Sequence, residues 1–132
     1  MTPEAARYLD KAQRCVLNAQ TSLRVNLTND AGRGAYVAAF HAAQALIFER
    51  TGKVAKTHMG VHALFGQLVK EEPQLDDTLP GFLKRTYNLK AVADYETGPD
   101  SDIAPERAAA AVEGAQKFVD AVRHVLTPPT PA

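Results

Sequence analysis

The sequence predicts an all-α protein, an up-and-down bundle of about five helices in a single domain that covers residues 1–126. Three observations predict this fold class. Apolar residues recur at spacings of three and four in five segments, as on the buried face of a helix. Glycine and proline lie between these segments. No segment shows the alternation of a strand, and 132 residues is an ordinary length for one domain.

The first helix is predicted to begin at Thr2-Pro3, where a hydroxyl can cap the first turn and proline loses no hydrogen bond. Its apolar stripe is Leu9, Ala12, Val16, Ala19 and Leu23. Residues 26–30, four of which are polar, interrupt the stripe. A second helix is then predicted from about Asp30 to Arg50, with Gly52 as its C-terminal glycine.

Three further helices follow by the same reasoning. They are predicted over about 58–70, from Thr78 or Pro80 to about Tyr95, and from Pro105 to about residue 126. Residues 127–132 hold three prolines and are predicted to form a disordered tail.

The second helix is unusually apolar, because from residue 35 to residue 48 its polar groups are His41 and Gln44. A helix that is apolar on nearly all sides is buried on nearly all sides. It therefore needs either a central position in the bundle or a partner subunit. We expect a homodimer that uses this helix, and a central helix in a monomer is the alternative.

Composition excludes several classes of protein. The formal net charge is zero, so no long-range field favours nucleic acid or membrane. Cys15 is the only cysteine, which rules out an intrachain disulfide and fits a reducing compartment. No apolar segment approaches the ~20 residues that span a bilayer, and the N-terminus does not resemble a signal peptide. We expect a cytoplasmic protein with no membrane contact.

His58 and His62 are four residues apart, so a helix places them on one face. Metal ligands use this spacing as well, but glutamate does not follow the first histidine and a third ligand is not evident. The sequence therefore predicts no metal site and no cofactor.

Several charged residues have two interpretations. Arg33, in the first turn of the second helix, suits an anion or a structural ion pair. The connector after this helix is basic and is either a solvated cluster or a phosphate-contacting surface; its residues are Arg50, Lys53, Lys56 and His58. Lys90 and Asp94 are either a surface pair or, beside Tyr95, a site where the aspartate orients a basic group.

Four segments carry a family resemblance. Residues 34–46 (GAYVAAFHAAQAL) are similar to the AYYAxFHAAxAL helix of HEPN-domain proteins, and residues 56–62 (KTHMGVH) resemble their KTHKGVH segment. Residues 93–95 (ADY) resemble the end of their RxxADY motif, and residues 115–119 (AQKFV) their AxxFV motif. These matches span nearly the whole chain in the family's order.

The resemblance implies a helical bundle, commonly dimeric, often with a nucleotidyltransferase-like partner in toxin–antitoxin modules. It also implies metal-independent ribonuclease activity from an arginine and a histidine separated by four to six residues. Here Arg33 precedes His41 by eight positions, and Lys90 replaces the RxxADY arginine. Eight helical steps leave two side chains ~80° and ~12 Å apart, so they could share one phosphate only across a two-fold dimer.

Two functions remain as hypotheses. The first is a HEPN-type protein that binds RNA or nucleotide, with weak or relic ribonuclease activity. Its candidate catalytic residues are Arg33 and His41, and its candidate substrate-binding residues are Lys56, His58, Lys90, Asp94 and Tyr95. The second is a non-catalytic, dimeric interaction module, in which His41 is a core histidine with a hydrogen bond across the bundle.

Overall fold

A computed structural model describes residues 1–128 of the chain. Five α-helices make up the fold: α1 (Pro3–Arg24), α2 (Thr28–Thr51), α3 (His58–Lys70), α4 (Leu79–Tyr95) and α5 (Pro105–Leu126). The described part of the chain contains no strand, so the all-α, five-helix prediction is confirmed. The predicted tail falls mostly on residues 129–132, outside the described residues.

Local hydrogen bonds set the helix ends. The hydroxyl of Thr2 accepts from the Ala5 N–H at 3.2 Å, and Pro3 opens α1 as predicted. Gly52 ends α2 with φ +72°, the left-handed conformation that glycine adopts without steric cost. α2 begins at Thr28, two residues before the predicted Asp30, without a side-chain cap.

α2 is the central helix of the bundle and packs against α1, α3, α4 and α5. Seven of its alanines are completely buried: Ala31, Ala35, Ala38, Ala39, Ala42, Ala43 and Ala45. Small side chains let the neighbours come close, and a Cβ at Gly32 would lie 2.6 Å from Cδ1 of Ile103. The chain thus buries α2 by itself. The apolar character of α2 therefore does not require a second subunit, and the homodimer stays a prediction.

Polar contacts between distant segments fix the bundle. Asn29 in α2 accepts from the Ile103 N–H at 2.9 Å and donates to Asp102 at 3.0 Å, which ties the loop before α5 to α2. Gln13 of α1 and Gln116 of α5 exchange two amide hydrogen bonds. None of the described helices is both long and apolar enough to cross a membrane.

Candidate functional site in the α2–α4 seam

Three residues of α2 and three of α4 face each other along one seam. Arg33, Tyr36 and Phe40 follow the helical spacing of three and four on α2, and Tyr87, Lys90 and Asp94 do so on α4. Arg33 contacts Asp94, and the rings of Tyr36 and Tyr87 are 5.2 Å apart. We call this the α2–α4 seam. It has a charged end and an aromatic end on adjacent turns of α2.

At the charged end, Arg33 is held by three groups of its own chain. Its Nε donates to Asp94 and its Nη1 to Asp30, both at 2.6 Å, and Nη2 donates to the Ala93 carbonyl at 3.4 Å. Lys90 donates to the second oxygen of Asp94 at 2.5 Å. Hydrogen bonds from Lys90 and then Arg33 hold the pKa of Asp94 below its ordinary value. Asp94 therefore orients two cations at the end of α4.

At the aromatic end, the Tyr36 hydroxyl lies between two imidazoles. It is 2.7 Å from Nδ1 of His58 and 3.0 Å from Nε2 of His62, both of which project from the start of α3. Tyr36 is 1% exposed, and its burial raises the pKa of the phenol. Burial, and then the nearby His58, lower the pKa of His62. The phenol therefore stays protonated, and it can donate to one imidazole and accept from the other.

The shared hydroxyl explains the spacing of the two histidines. The four-residue spacing places His58 and His62 on one face of α3, and there both imidazoles reach the Tyr36 hydroxyl. Within residues 1–128, no three or more His, Cys, Asp or Glu side chains lie together in a group that could hold a metal ion.

Phe40 contacts both His58 and a third imidazole, that of His41. The Phe40 ring centroid is 5.1 Å from that of His58 and 5.8 Å from that of His41. His58 is an exposed residue and His41 is half-buried. The two imidazoles therefore contact the same aromatic ring, and both are at least partly accessible at the protein surface.

His41 is fixed in one tautomer by its neighbour one turn along α2. The Gln44 amide nitrogen donates to the Ala55 carbonyl at 2.8 Å, so the amide oxygen faces Nδ1 of His41, also at 2.8 Å. Nδ1 must then carry the proton, which leaves Nε2 with a lone pair. Burial, and to a smaller extent the charge of Lys11, lower the pKa of His41. At neutral pH, this arrangement gives an uncharged imidazole able to accept a proton.

The predicted site residues thus fall into separate places. Arg33, Lys90 and Asp94 lie together, and Tyr95 follows them with 78% of its surface exposed. His58 joins Tyr36, whereas Lys56 is exposed on the connector and makes no hydrogen bond with the residues described. His41 has its own partner, Gln44, and Arg33 binds carboxylates, so the two do not contact a common group.

Three further residues belong to the site and were not among the predicted site residues: Tyr36, Gln44 and Tyr87. Tyr36 lies in the apolar stretch of α2 and resembles a core residue in the sequence. Its hydroxyl nevertheless needs a hydrogen-bond partner when it is buried. The spacing of three between His41 and Gln44 was a usable signal, because such residues are neighbours on a helix. Tyr87 is 29 residues from His58 in the sequence, and the two ring centroids lie 5.1 Å apart.

Comparison with known proteins agrees with this architecture. The family model of the HEPN domain matches residues 5–125, and the chain therefore belongs to the HEPN-domain family. A protein of Methanocaldococcus jannaschii named "Putative toxin MJ0605" is 28% identical over 123 residues, which cover 93% of this chain and 89% of that protein. A "UPF0332 protein" of Archaeoglobus fulgidus is 28% identical over 116 residues, 88% of this chain and 90% of its own length.

Proposed function

We propose that this protein is a toxin-type HEPN protein that binds RNA and cleaves it without a metal ion. The observation that carries the proposal is the pair of imidazoles, His41 and His58, that contact one aromatic ring, that of Phe40. Two histidines of this kind can supply a base and an acid to one reaction. The name of the Methanocaldococcus jannaschii relative supports the toxin part of the proposal.

In this proposal His41 is the general base. Its Nε2 takes the proton of a ribose 2′-hydroxyl, and the 2′ oxygen attacks the adjacent phosphorus. The bond from phosphorus to the 5′ oxygen then breaks, and His58 donates a proton from Nε2 to that oxygen. The products are a 2′,3′-cyclic phosphate and a 5′-hydroxyl, and proton exchange with water restores both imidazoles.

Tyr36 and His62 are positioning residues in this scheme. When His58 is an imidazolium, its Nδ1–H donates to the Tyr36 oxygen, and the phenol O–H donates to Nε2 of His62. These bonds hold the His58 ring so that Nε2 is free for substrate. Because Nδ1 keeps its proton throughout, the same arrangement serves His58 before and after proton transfer.

The charged end of the seam is proposed to bind phosphate. Arg33 lies about two turns from His41 along α2, and Lys90 is one turn from Tyr87, whose ring contacts that of His58. A phosphate would compete with Asp94 for both cations. The scheme does not depend on the arginine–histidine spacing implied by the resemblance. We further propose a homodimer and, from that resemblance, a nucleotidyltransferase-like antitoxin partner.

The test is cleavage of single-stranded RNA in the presence of EDTA, together with growth inhibition on expression in cells. His41→Gln and His58→Gln should each lower the cleavage rate by about 100-fold or more, in line with the loss of a general acid or base. His124→Gln, at the exposed end of α5, is the matched control and should cleave as the wild type does.

Tyr36→Phe separates positioning from proton transfer. It should lower the cleavage rate less than His58→Gln does, because the proton donor remains and only its orientation is lost. If folded wild-type protein neither cuts RNA nor slows growth, the ribonuclease proposal is wrong.

One observation favours a second candidate function, the non-catalytic interaction module. All three nitrogens of the Arg33 guanidinium bind groups of this chain, as in a structural ion pair. On this alternative, His41 is a packing residue. His41→Gln would then lower the melting temperature and change no activity.

A further inference from the structure

A groove of about 450 Å³ lies where α1 meets the C-terminal part of α2 and the following connector. The groove does not include the seam residues described above. One of its walls is a row of cations on α1, Arg7, Lys11 and Arg14. Its apolar lining comes from Tyr8, Phe48 and Val54.

The three cations form one stripe along α1. They are separated by four and three residues, so they lie on successive turns within ~60° of one another. All three are exposed, and none of them forms an ion pair or side-chain hydrogen bond with the residues described. They are therefore available to an anionic ligand.

The charge of the groove is positive although the whole chain is neutral. Glu4 and Asp10 also line it, which leaves one net positive charge on the lining. Lys53 and Lys56 flank Val54 in the connector and are exposed and without ion pairs among the described residues. They extend the positive surface from α1 towards His58, four residues after Val54.

The groove also contains aromatic surface. Tyr8 and Phe48 are both half-buried, so part of each ring is accessible. Cations beside partly exposed aromatic rings are typical of surfaces for single-stranded nucleic acid, where phosphates meet the cations and bases stack on the rings. An acidic protein segment would use the cations but has less need of the rings.

We propose that this α1 groove binds single-stranded RNA, with phosphates on Arg7, Lys11 and Arg14 and a base stacked on Tyr8. The inference rests on the proposed action on RNA and gives that action a binding surface outside the seam. Gln44 joins the groove to the site, because it binds both His41 and the carbonyl of Ala55, next to Val54. An RNA strand bound in the groove would therefore lead towards the two imidazoles.

The test is fluorescence anisotropy with the full chain and a labelled 2′-O-methyl oligoribonucleotide, which binds but lacks the 2′-hydroxyl needed for cleavage. The triple variant Arg7→Gln/Lys11→Gln/Arg14→Gln should weaken binding at least tenfold. It should also reduce the slope of log K against the logarithm of the salt concentration by about 2, since each phosphate contact on a single strand contributes roughly 0.7 to that slope. Tyr8→Leu should weaken binding about tenfold while keeping the side chain apolar.

Lys117→Gln is the control for charge loss, since Lys117 is 76% exposed on α5 and should not affect binding. Circular dichroism checks that each variant is folded. The inference is overturned if wild type does not bind the oligonucleotide, or if the triple variant binds it as tightly as wild type. It is also overturned if polyglutamate occupies the groove and the oligonucleotide does not, the result expected for a protein-docking surface.

The two proposals fail separately. Wild-type protein that binds the oligonucleotide through the groove but leaves unmodified RNA intact would contradict the ribonuclease and keep the groove. Cleavage that the triple variant retains, with unchanged oligonucleotide affinity, would contradict the groove and keep the ribonuclease.

Discussion

His41 and His62 couple the stability of the bundle to pH. Each imidazole loses hydration on folding, and burial destabilises its charged form more than its neutral form. The pKa values of both therefore lie below the ordinary 6.5. The unfolded chain regains this hydration, so it binds protons at a higher pH than the folded chain does.

We predict that the free energy of unfolding falls as the pH drops below about 6.5. In that range the unfolded state binds more protons than the folded state, so acidification favours unfolding. Three carboxylates, Glu49, Asp76 and Asp94, also have a lowered pKa. They lose their contribution only at lower pH, below the ordinary values of 4.5 for the glutamate and 3.8 for the aspartates. Urea unfolding at about pH 7.5 and about pH 5.5 measures the difference.

Histidine variants test whether His41 and His62 cause this pH dependence. The double variant His41→Gln/His62→Gln should lose most of the difference between the two pH values, whatever its stability at neutral pH. His124→Gln should retain it. Equal stability of wild type at both pH values would contradict the prediction.

At the scale of the elements, Asp94 connects α4 to α2. One oxygen accepts from Arg33 and the other from Lys90, and the Asp94 side chain is 20% exposed. We predict that Asp94→Asn lowers the free energy of unfolding by about 1 kcal/mol, the upper part of the range for partly exposed ion pairs, because two cations lose one counter-charge.

Denaturant unfolding of Asp94→Asn beside Glu113→Gln tests this. Glu113 and Lys117 form an ion pair with side chains 72% and 76% exposed, so breaking that pair should cost less than about 0.5 kcal/mol. Equal losses in the two variants would mean that the Asp94 cluster does not fasten α4 to α2.

The elements themselves were predictable because local signals mark their ends. Thr2-Pro3, Gly52 and Pro105 lie where helices begin or end, and α3 covers the predicted 58–70. The start of α2 was placed two residues late, since no side-chain cap marks Thr28. Local signals depend on residues within a turn or two, which a sequence displays directly.

The site was predictable only in part, because its contacts join distant segments. Lys90 and Asp94 could be paired from their spacing, but Arg33 is 61 residues from Asp94. The contact of Tyr36 with His58 depends on how α3 folds back over α2, 22 residues away. The rest of the site follows from packing, which periodicity alone does not specify.

At the scale of the whole molecule, α2 is central, so a second subunit would bind at another surface than the buried face of α2. The buried side chains of α2 are already covered by its own chain. Two large apolar residues remain exposed beside the site, Met59 at 76% and Tyr95 at 78%. They directly follow His58 and Asp94 in the sequence. Burying this side would bring the seams of two copies together.

We predict a homodimer whose interface includes Met59 and Tyr95. In a two-fold arrangement the same patch of each copy meets the other, so Arg33 of one copy could approach His41 of its partner. Sedimentation velocity should show a dimer for wild type and a monomer for Met59→Glu, because a carboxylate there would be buried without a partner. Val25→Glu, at a residue 61% exposed beyond α1, should remain dimeric. A monomeric wild type would contradict the dimer. A dimer that Val25→Glu breaks and Met59→Glu preserves would move the interface to the α1–α2 turn and leave each seam to act on its own.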